Sequence, residues 1–305
     1  MAKPMSKRNS TKIQSKRVFR DGPIYIRRWK ARKRAERFVE RVGRRTLRLA
    51  GALLFVLPAA AALIGINWPT VSRWALIVDV LRYVGVMAAF LCPCVAILVP
   101  IRFLTRLPSF IFRKLMHTAA FAAVTMAILA AGSWQAVSLT FVLAAAAAFT
   151  LLSFLEGEPW YGRLLVQKTK GEVKRSLTMY FGMAAGLVAL CGGVFGRPGI
   201  AAAAIVMWGA GDAAAALVGI PFGRHKVKPA GGNKSWEGSL AMLAVSFIGG
   251  LCMLLLVQRT LLPKALLSSC VCAILGTATE LFSPSEYDTV TVPIAIAAAL
   301  ILMGV

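Results

Sequence analysis

Gly211-Asp212-Ala213-Ala214-Ala215-Ala216-Leu217-Val218-Gly219-Ile220-Pro221-Phe222-Gly223-Arg224-His225-Lys226 is the stretch whose reading decides the fold. One carboxylate sits near the end of an apolar run, glycines and cations follow, and a second apolar run opens at Gly231-Gly232-Asn233-Lys234-Ser235-Trp236-Glu237-Gly238-Ser239. Apolar runs on both sides approach the ~20 residues that a helix needs to cross a bilayer, so the polar stretch joins two membrane helices. A carboxylate, cations and glycines at such a junction suit a membrane-edge site for a metal-bound polyphosphate.

Outward from this junction the same pattern repeats along 305 residues that are 58% hydrophobic, with a mean hydropathy of +0.70. A soluble domain is nearer ~45–50% apolar. Alternating polar and apolar residues, the mark of an outer-membrane barrel strand, are nowhere sustained, so the spans are helical. Apolar segments fall at 49–66, 74–101, 115–131, 136–155, 177–195, 200–220, 240–257, 261–282 and 290–305. The expected fold is an all-α polytopic integral membrane protein of about nine transmembrane helices, the last short at about 24 Å for ~1.5 Å per residue. Gly-x-x-x-Gly spacings and the run Ala144 to Ala148 point to close helix packing. Within the second span Asp79 and Arg82, three apart, are expected to satisfy each other.

The net charge of +24 is uneven: half of the 36 basic residues precede Leu49. The chain thus divides into a basic arm, 1–48, and a transmembrane catalytic domain, 49–305. The arm reads as a cytoplasmic tail attracted to anionic headgroups, with an amphipathic surface helix in its second half, and no nucleic-acid partner is expected. No signal peptide precedes the first span. Between spans, one side carries Arg102, Arg106, Arg113, Lys114, Arg163, Lys168, Lys170, Lys174, Arg175, Arg224, Lys226, Lys228 and Lys234, and the other only Arg73, Arg197, Arg259 and Lys264. That asymmetry makes the first side cytoplasmic and lets four polar segments converge there. The six cysteines lie in apolar runs without neighbouring histidines and read as packing thiols.

Asp212 lies at the cytoplasmic end of its span, where a carboxylate is costly unless it is paired, protonated or metal-bound; it reads as a metal or nucleotide ligand or as the structural partner of a buried cation. Lys234 and Ser235 follow a glycine pair, the backbone amides and ammonium that a phosphate needs, although the spacing does not match Gly-x4-Gly-Lys-Ser/Thr. Glu237 reads either as catalytic or as a holder of the following helix, with Ser235 as its cap. Arg113 and His117 share a helix face, with Lys114 beside them, and suit a phosphate, a lipid hydroxyl or simple snorkelling. Glu280 and Asp288 flank a proline turn and suit a divalent cation or deprotonation of an alcohol, with helix capping the alternative for Asp288. Glu172, Lys174 and Arg175 read as a solvated turn.

In order along the chain, Arg113-Lys114-x-x-His117, Glu172-x-x-Arg175, Gly211-Asp212-x-x-Ala215, Gly219-x-x-x-Gly223, Lys234-Ser235-x-Glu237-Gly238-Ser239, Glu280 and Asp288-Thr-x-Thr-Val-Pro293 resemble the CTP-dependent lipid kinases, the family of dolichol, phytol and CTP-dependent diacylglycerol kinases. The resemblance covers about 113–293. Where many of these kinases carry Asn after the aspartate, this chain has Thr289. The resemblance implies transfer of the terminal phosphate of CTP to a lipid alcohol at the cytoplasmic face, in a bacterial inner membrane or endoplasmic reticulum. Mg²⁺ or another divalent cation would sit on Asp212 with Glu280 or Asp288. Lys234, Ser235, Gly231, Gly232, Arg113, Lys114, Arg175 and Gly223 would bind the nucleotide, and Asp288 or His117 would serve as base. A second resemblance, to CDP-diacylglycerol synthase, stops at the Gly-Asp and Lys-x-x-Glu-Gly portions. A transporter is the non-enzymatic alternative.

Overall fold

A computed structural model describes residues 72–105, 107–156, 158, 161, 171–227, 234–283 and 287–305. The basic arm, the span expected at 49–66, and Gly231 and Gly232 lie outside the described residues. Eight α-helices account for nearly all of the rest: α1 Arg73–Leu104, α2 Ser109–Leu129, α3 Trp134–Leu155, α4 Glu172–Val188, α5 Pro198–Phe222, α6 Trp236–Cys252, α7 Leu262–Phe282 and α8 Asp288–Leu302. Single π turns extend α4 through Ala189–Val194 and α6 through Met253–Val257. Seven of these helices are long and apolar enough to cross a membrane; α8 is the shorter one. This is the architecture of an all-α membrane protein.

Local chemistry sets the helix starts. Pro198 opens α5, where its missing N–H costs nothing. Ser133 caps α3 by accepting from the Ala136 amide at 3.3 Å, and Ser235 caps α6 by accepting from that of Gly238 at 3.2 Å. Gly171, at φ 78°, turns the chain into α4 through a conformation that a side chain would resist.

Helix α5 is the hub. Every residue from Ile200 to Ile205 is fully buried, and the helix packs against α2, α6 and α8. Small residues let the backbones close up, because in lipid helices associate through contact and hydrogen bonding rather than through the hydrophobic effect. Gly209 sits against the Phe121 ring, and Gly211 lies under Ser246, whose hydroxyl donates to the Met207 carbonyl at 2.7 Å. A Cβ on Gly238 would lie 2.9 Å from the Ala215 carbonyl oxygen, and one on Gly219 would lie 3.3 Å from the Gly238 Cα. The glycine spacings thus mark the α5–α6 seam. Although short, α8 buries Val292, Pro293, Ile296, Ala297, Ala299 and Leu300 and fills the interior beside α5 and α7.

The helices alternate in direction. The starts of α2, α4, α6 and α8 therefore lie with the ends of α3, α5 and α7 at one charged end. At the other end Arg197 donates to the Val305 carbonyl at 3.1 Å and Lys264 to that of Gly304 at 2.9 Å.

Three expectations are corrected. Asp79 and Arg82 make no ion pair: α1 buries only the narrow stripe Leu76, Val80 and Tyr83, and Arg82 lies on its exposed side. Glu172, Lys174 and Arg175 form no solvated turn, because Gly171 starts α4 there; Glu172 pairs with Arg113 at 3.0 Å and Lys174 with Glu156 at 3.2 Å. Asp212 does not sit at a helix end. Helix α5 runs on to Phe222, leaving the carboxylate about 15 Å short of the terminus at ~1.5 Å per residue.

Candidate active site

Because Asp212 is sunk within α5, the charges gather in a cavity among the helices. Its volume is about 430 Å³, and residues from α2, α4, α5, the 226–235 segment, α6, α7 and α8 line it. From α2 come Arg113, Lys114 and His117, from α4 Glu172, from α5 Asp212, and from α7 and α8 Glu280 and Asp288. Lys226 and Lys234 belong to a two-stranded antiparallel ribbon, β1 Lys226–Val227 and β2 Lys234–Ser235, which pairs Val227 with Lys234 and sits between α5 and α6.

Ion pairing orders these charges. Lys114 donates to Asp212 at 2.6 Å, Lys234 meets the Glu280 carboxylate at 2.8 Å and also donates to its backbone carbonyl, and Arg113 holds Glu172. Lys114 and Glu280 are buried, as an apolar surround demands of charges only when they are partnered. Lining cations and acids number four each, which leaves Lys226 and Asp288 outside the three pairs. Asp288 accepts from the Thr289 hydroxyl at 3.4 Å and lies in the field of Asp212, Lys234, Glu280 and Lys114. His117 faces Lys114, Asp212, Arg113 and Glu172.

Below the charges lies an aromatic floor. Phe121, Tyr180 and Trp208 stand with ring centroids 4.8 to 5.9 Å apart, a spacing at which tilted rings attract. The candidate list drawn from sequence had neither this floor nor Lys226. The signal for the floor was four-residue spacing, since Phe121 follows His117 by four and Trp208 precedes Asp212 by four, one turn away on the same face. For Lys226 the sequence offered only one cation among several.

Of the residues singled out from sequence, Arg113, Lys114, His117, Asp212, Lys234, Ser235, Glu280 and Asp288 all line the cavity. Three do not. Glu237 accepts from the backbone amides of Arg224 and His225 at 3.1 Å each and meets the His225 ring at 2.8 Å, so it fastens the chain leaving α5 to the start of α6. Gly223 ends α5 against Ser235. Arg175 is on the exposed side of the first turn of α4.

Among the described residues no three His, Cys, Asp or Glu side chains converge into a metal cage. The donor set nevertheless fits a hard divalent cation of the kind that takes one or two carboxylates and completes its shell with substrate phosphates and water. Asp212 and Asp288 would supply the carboxylates for such a cation.

The fold and cavity define a helical membrane protein with a charged chamber at one end of its bundle. A curated protein similar to it is phytol kinase from Synechocystis sp., 44% identical over 73 residues, which are 23% of this chain and 30% of the kinase. The match therefore spans under a third of that relative's length. No family model matches the chain, and no solved structure matches it.

Proposed function

We propose that the protein is a lipid kinase that transfers the terminal phosphate of CTP to the hydroxyl of a membrane alcohol, a polyprenol, a phytol-like alcohol or diacylglycerol, with Mg²⁺ or another divalent cation. The observation that carries this reading is the cavity itself: cations and carboxylates from separate helices meet inside an apolar bundle, where unpaired charge is costly without a charged ligand. The stretch shared with a phytol kinase supports the lipid acceptor. The excess of Lys and Arg at the same end of the bundle supports a cytoplasmic site.

In this mechanism Lys114 and Lys234 exchange their carboxylate partners for phosphate oxygens, Arg113 turns a remaining N–H to the phosphate while keeping Glu172, and Ser235 positions the phosphate chain. A bound divalent cation, held by Asp212 and Asp288, would neutralise phosphate charge. The acceptor oxygen forms the new O–P bond as the bond from the terminal phosphorus to the bridging oxygen breaks. CDP leaves, and the hydroxyl proton passes to Asp288 or His117. Catalysis is then mostly positioning and charge neutralisation, as phosphoryl transfer requires.

Purified protein incubated with each labelled nucleoside triphosphate and a panel of lipid alcohols tests this reading. A lipid phosphate with CDP supports it. Pyrophosphate with a CDP-lipid identifies a cytidylyltransferase instead, and solute flux without nucleotide consumption identifies a transporter.

A further inference from the structure

The cavity-lining helices form an arc in which each packs on the next: α2 on α5, α5 on α6, α6 on α7, α7 on α8 and α8 on α4. The arc does not close. Although α2 and α4 both line the cavity, they scarcely touch among the described residues. At the rim the seam between them is spanned by the Arg113–Glu172 ion pair at 3.0 Å, and deeper by the Phe121–Tyr180 ring contact at 5.0 Å. Between these two bridges the lining residues include Ala120, Ser176 and Leu177. The middle of the arc supplies Asp212, Lys234, Glu280 and Asp288, while on the two seam helices the charged and titratable lining residues Arg113, Lys114, His117 and Glu172 lie toward the rim and Ala120 and Leu177 are apolar.

Outside the seam stand α1 and α3. They meet toward the opposite end of the bundle, where α1 buries Leu76, Val80 and Tyr83 and the Tyr83 hydroxyl accepts from the Gly132 amide at 3.0 Å. From residue 84 to residue 104 α1 has partly covered residues but no fully buried one, and at the same end α3 exposes Leu151 and Phe154. Among the described residues, therefore, neither helix closes the seam toward the hydrocarbon layer at the charged end.

For a long-chain acceptor the volume of the cavity calls for such an opening. At about 430 Å³ it is near the low end of the ~300–1,000 Å³ range of ligand pockets, enough for a polar headgroup and phosphates but not for a long hydrocarbon chain as well.

Resting on the lipid-kinase reading, we propose that the acceptor's chain occupies the α2/α4 seam. Its hydroxyl reaches the cavity beneath the Arg113–Glu172 bridge, its first carbons lie against Ala120 and Leu177, and the rest of the chain stays in the bilayer. The Phe121–Tyr180 contact stops it from running deeper between the helices. The ligand class is a long-chain membrane alcohol, and the nucleotide's phosphates lie among Lys114, Asp212, Lys234 and Asp288.

Photolabelling of the full-length protein in nanodiscs tests the placement. Two probes are used, a C20 isoprenoid alcohol and a diacylglycerol, each with a diazirine on the carbons next to its polar end. For whichever probe is phosphorylated, adducts should concentrate on the peptides carrying Ala120 and Ser176-Leu177. Adducts concentrated on α6, α7 or α8 instead overturn the seam as the acceptor site. A second measurement is independent of labelling: Leu177→Trp, which plugs the seam, should lower kcat/KM for the long-chain alcohol at least tenfold while KM for the nucleotide stays within twofold. Equal losses for both substrates, or none, count against the proposal. If the unaltered protein phosphorylates neither alcohol, the kinase reading itself fails, a result distinct from turnover with labels elsewhere.

Discussion

Replacing Lys114 with methionine keeps the length and apolar stem of the side chain and removes only the ammonium that Asp212 meets at 2.6 Å. The side chains are 10% and 22% exposed, so the orphaned carboxylate has little water to turn to. Breaking one side of a buried pair costs ~3–5 kcal/mol; the partial exposure of Asp212 puts this case near the lower figure, about 3 kcal/mol. Removing the carboxylate too, in Lys114→Met/Asp212→Leu, should bring stability back to within about 1 kcal/mol of the parent, because matched apolar replacement of a buried pair is often neutral. The cycle then gives a coupling of about 2 kcal/mol or more, within the range for residues in one charged network. Equilibrium unfolding in detergent micelles, followed by tryptophan fluorescence, measures all four corners. Phosphoryl transfer measured on the same samples should be lost in both single variants and in the double variant. A coupling under about 0.5 kcal/mol would refute the claim that this pair is sequestered from water. Transfer retained by the double variant would refute its place in the chemistry.

Three further outcomes follow from the same geometry. Lys234→Ala removes the ammonium that Glu280 holds and that the proposed mechanism turns to the phosphates; at ~1.5–3 kcal/mol per charged hydrogen bond, steady-state kinetics should show kcat/KM for the nucleotide down by about 100-fold. Glu237→Gln weakens the fastening of Arg224 and His225 and should lower the unfolding midpoint, while kcat stays within a few-fold; a loss as deep as that of Lys234→Ala would restore Glu237 to the chemistry. Gly238→Ala places a methyl 2.9 Å from the Ala215 carbonyl oxygen. Forced separation of α5 and α6 should cost ~1–3 kcal/mol in the same unfolding assay.

The membrane helices were legible because the bilayer acts on each segment separately: a run of apolar residues long enough to span it is a helix whatever its neighbours do. The eight described helices fall where the hydropathy places them, and the glycine spacings around Gly219 and Gly238 mark a real seam. The site's membership was legible for the related reason that charge is rare in such segments, so Asp212, Lys114 and Glu280 stand out one by one. Roles were less legible. Glu237 follows Lys234 by three residues in sequence yet serves the backbone of Arg224 and His225, because α6 starts only one residue before it and its carboxylate falls beside the chain leaving α5.

What the sequence alone determined is the material: apolar helices, their alternation, and a concentration of charged side chains at one end. Partnership was decided only in three dimensions. Lys114 and Asp212 lie 98 residues apart, Lys234 and the Glu280 carbonyl 46, and Arg113 and Glu172 59. No local pattern can encode such pairings, since each depends on which helix packs beside which. The seam that the described residues leave between α2 and α4 belongs to the same level: a gap between two helices is a property of their neighbours, and neither helix carries it in its own residues.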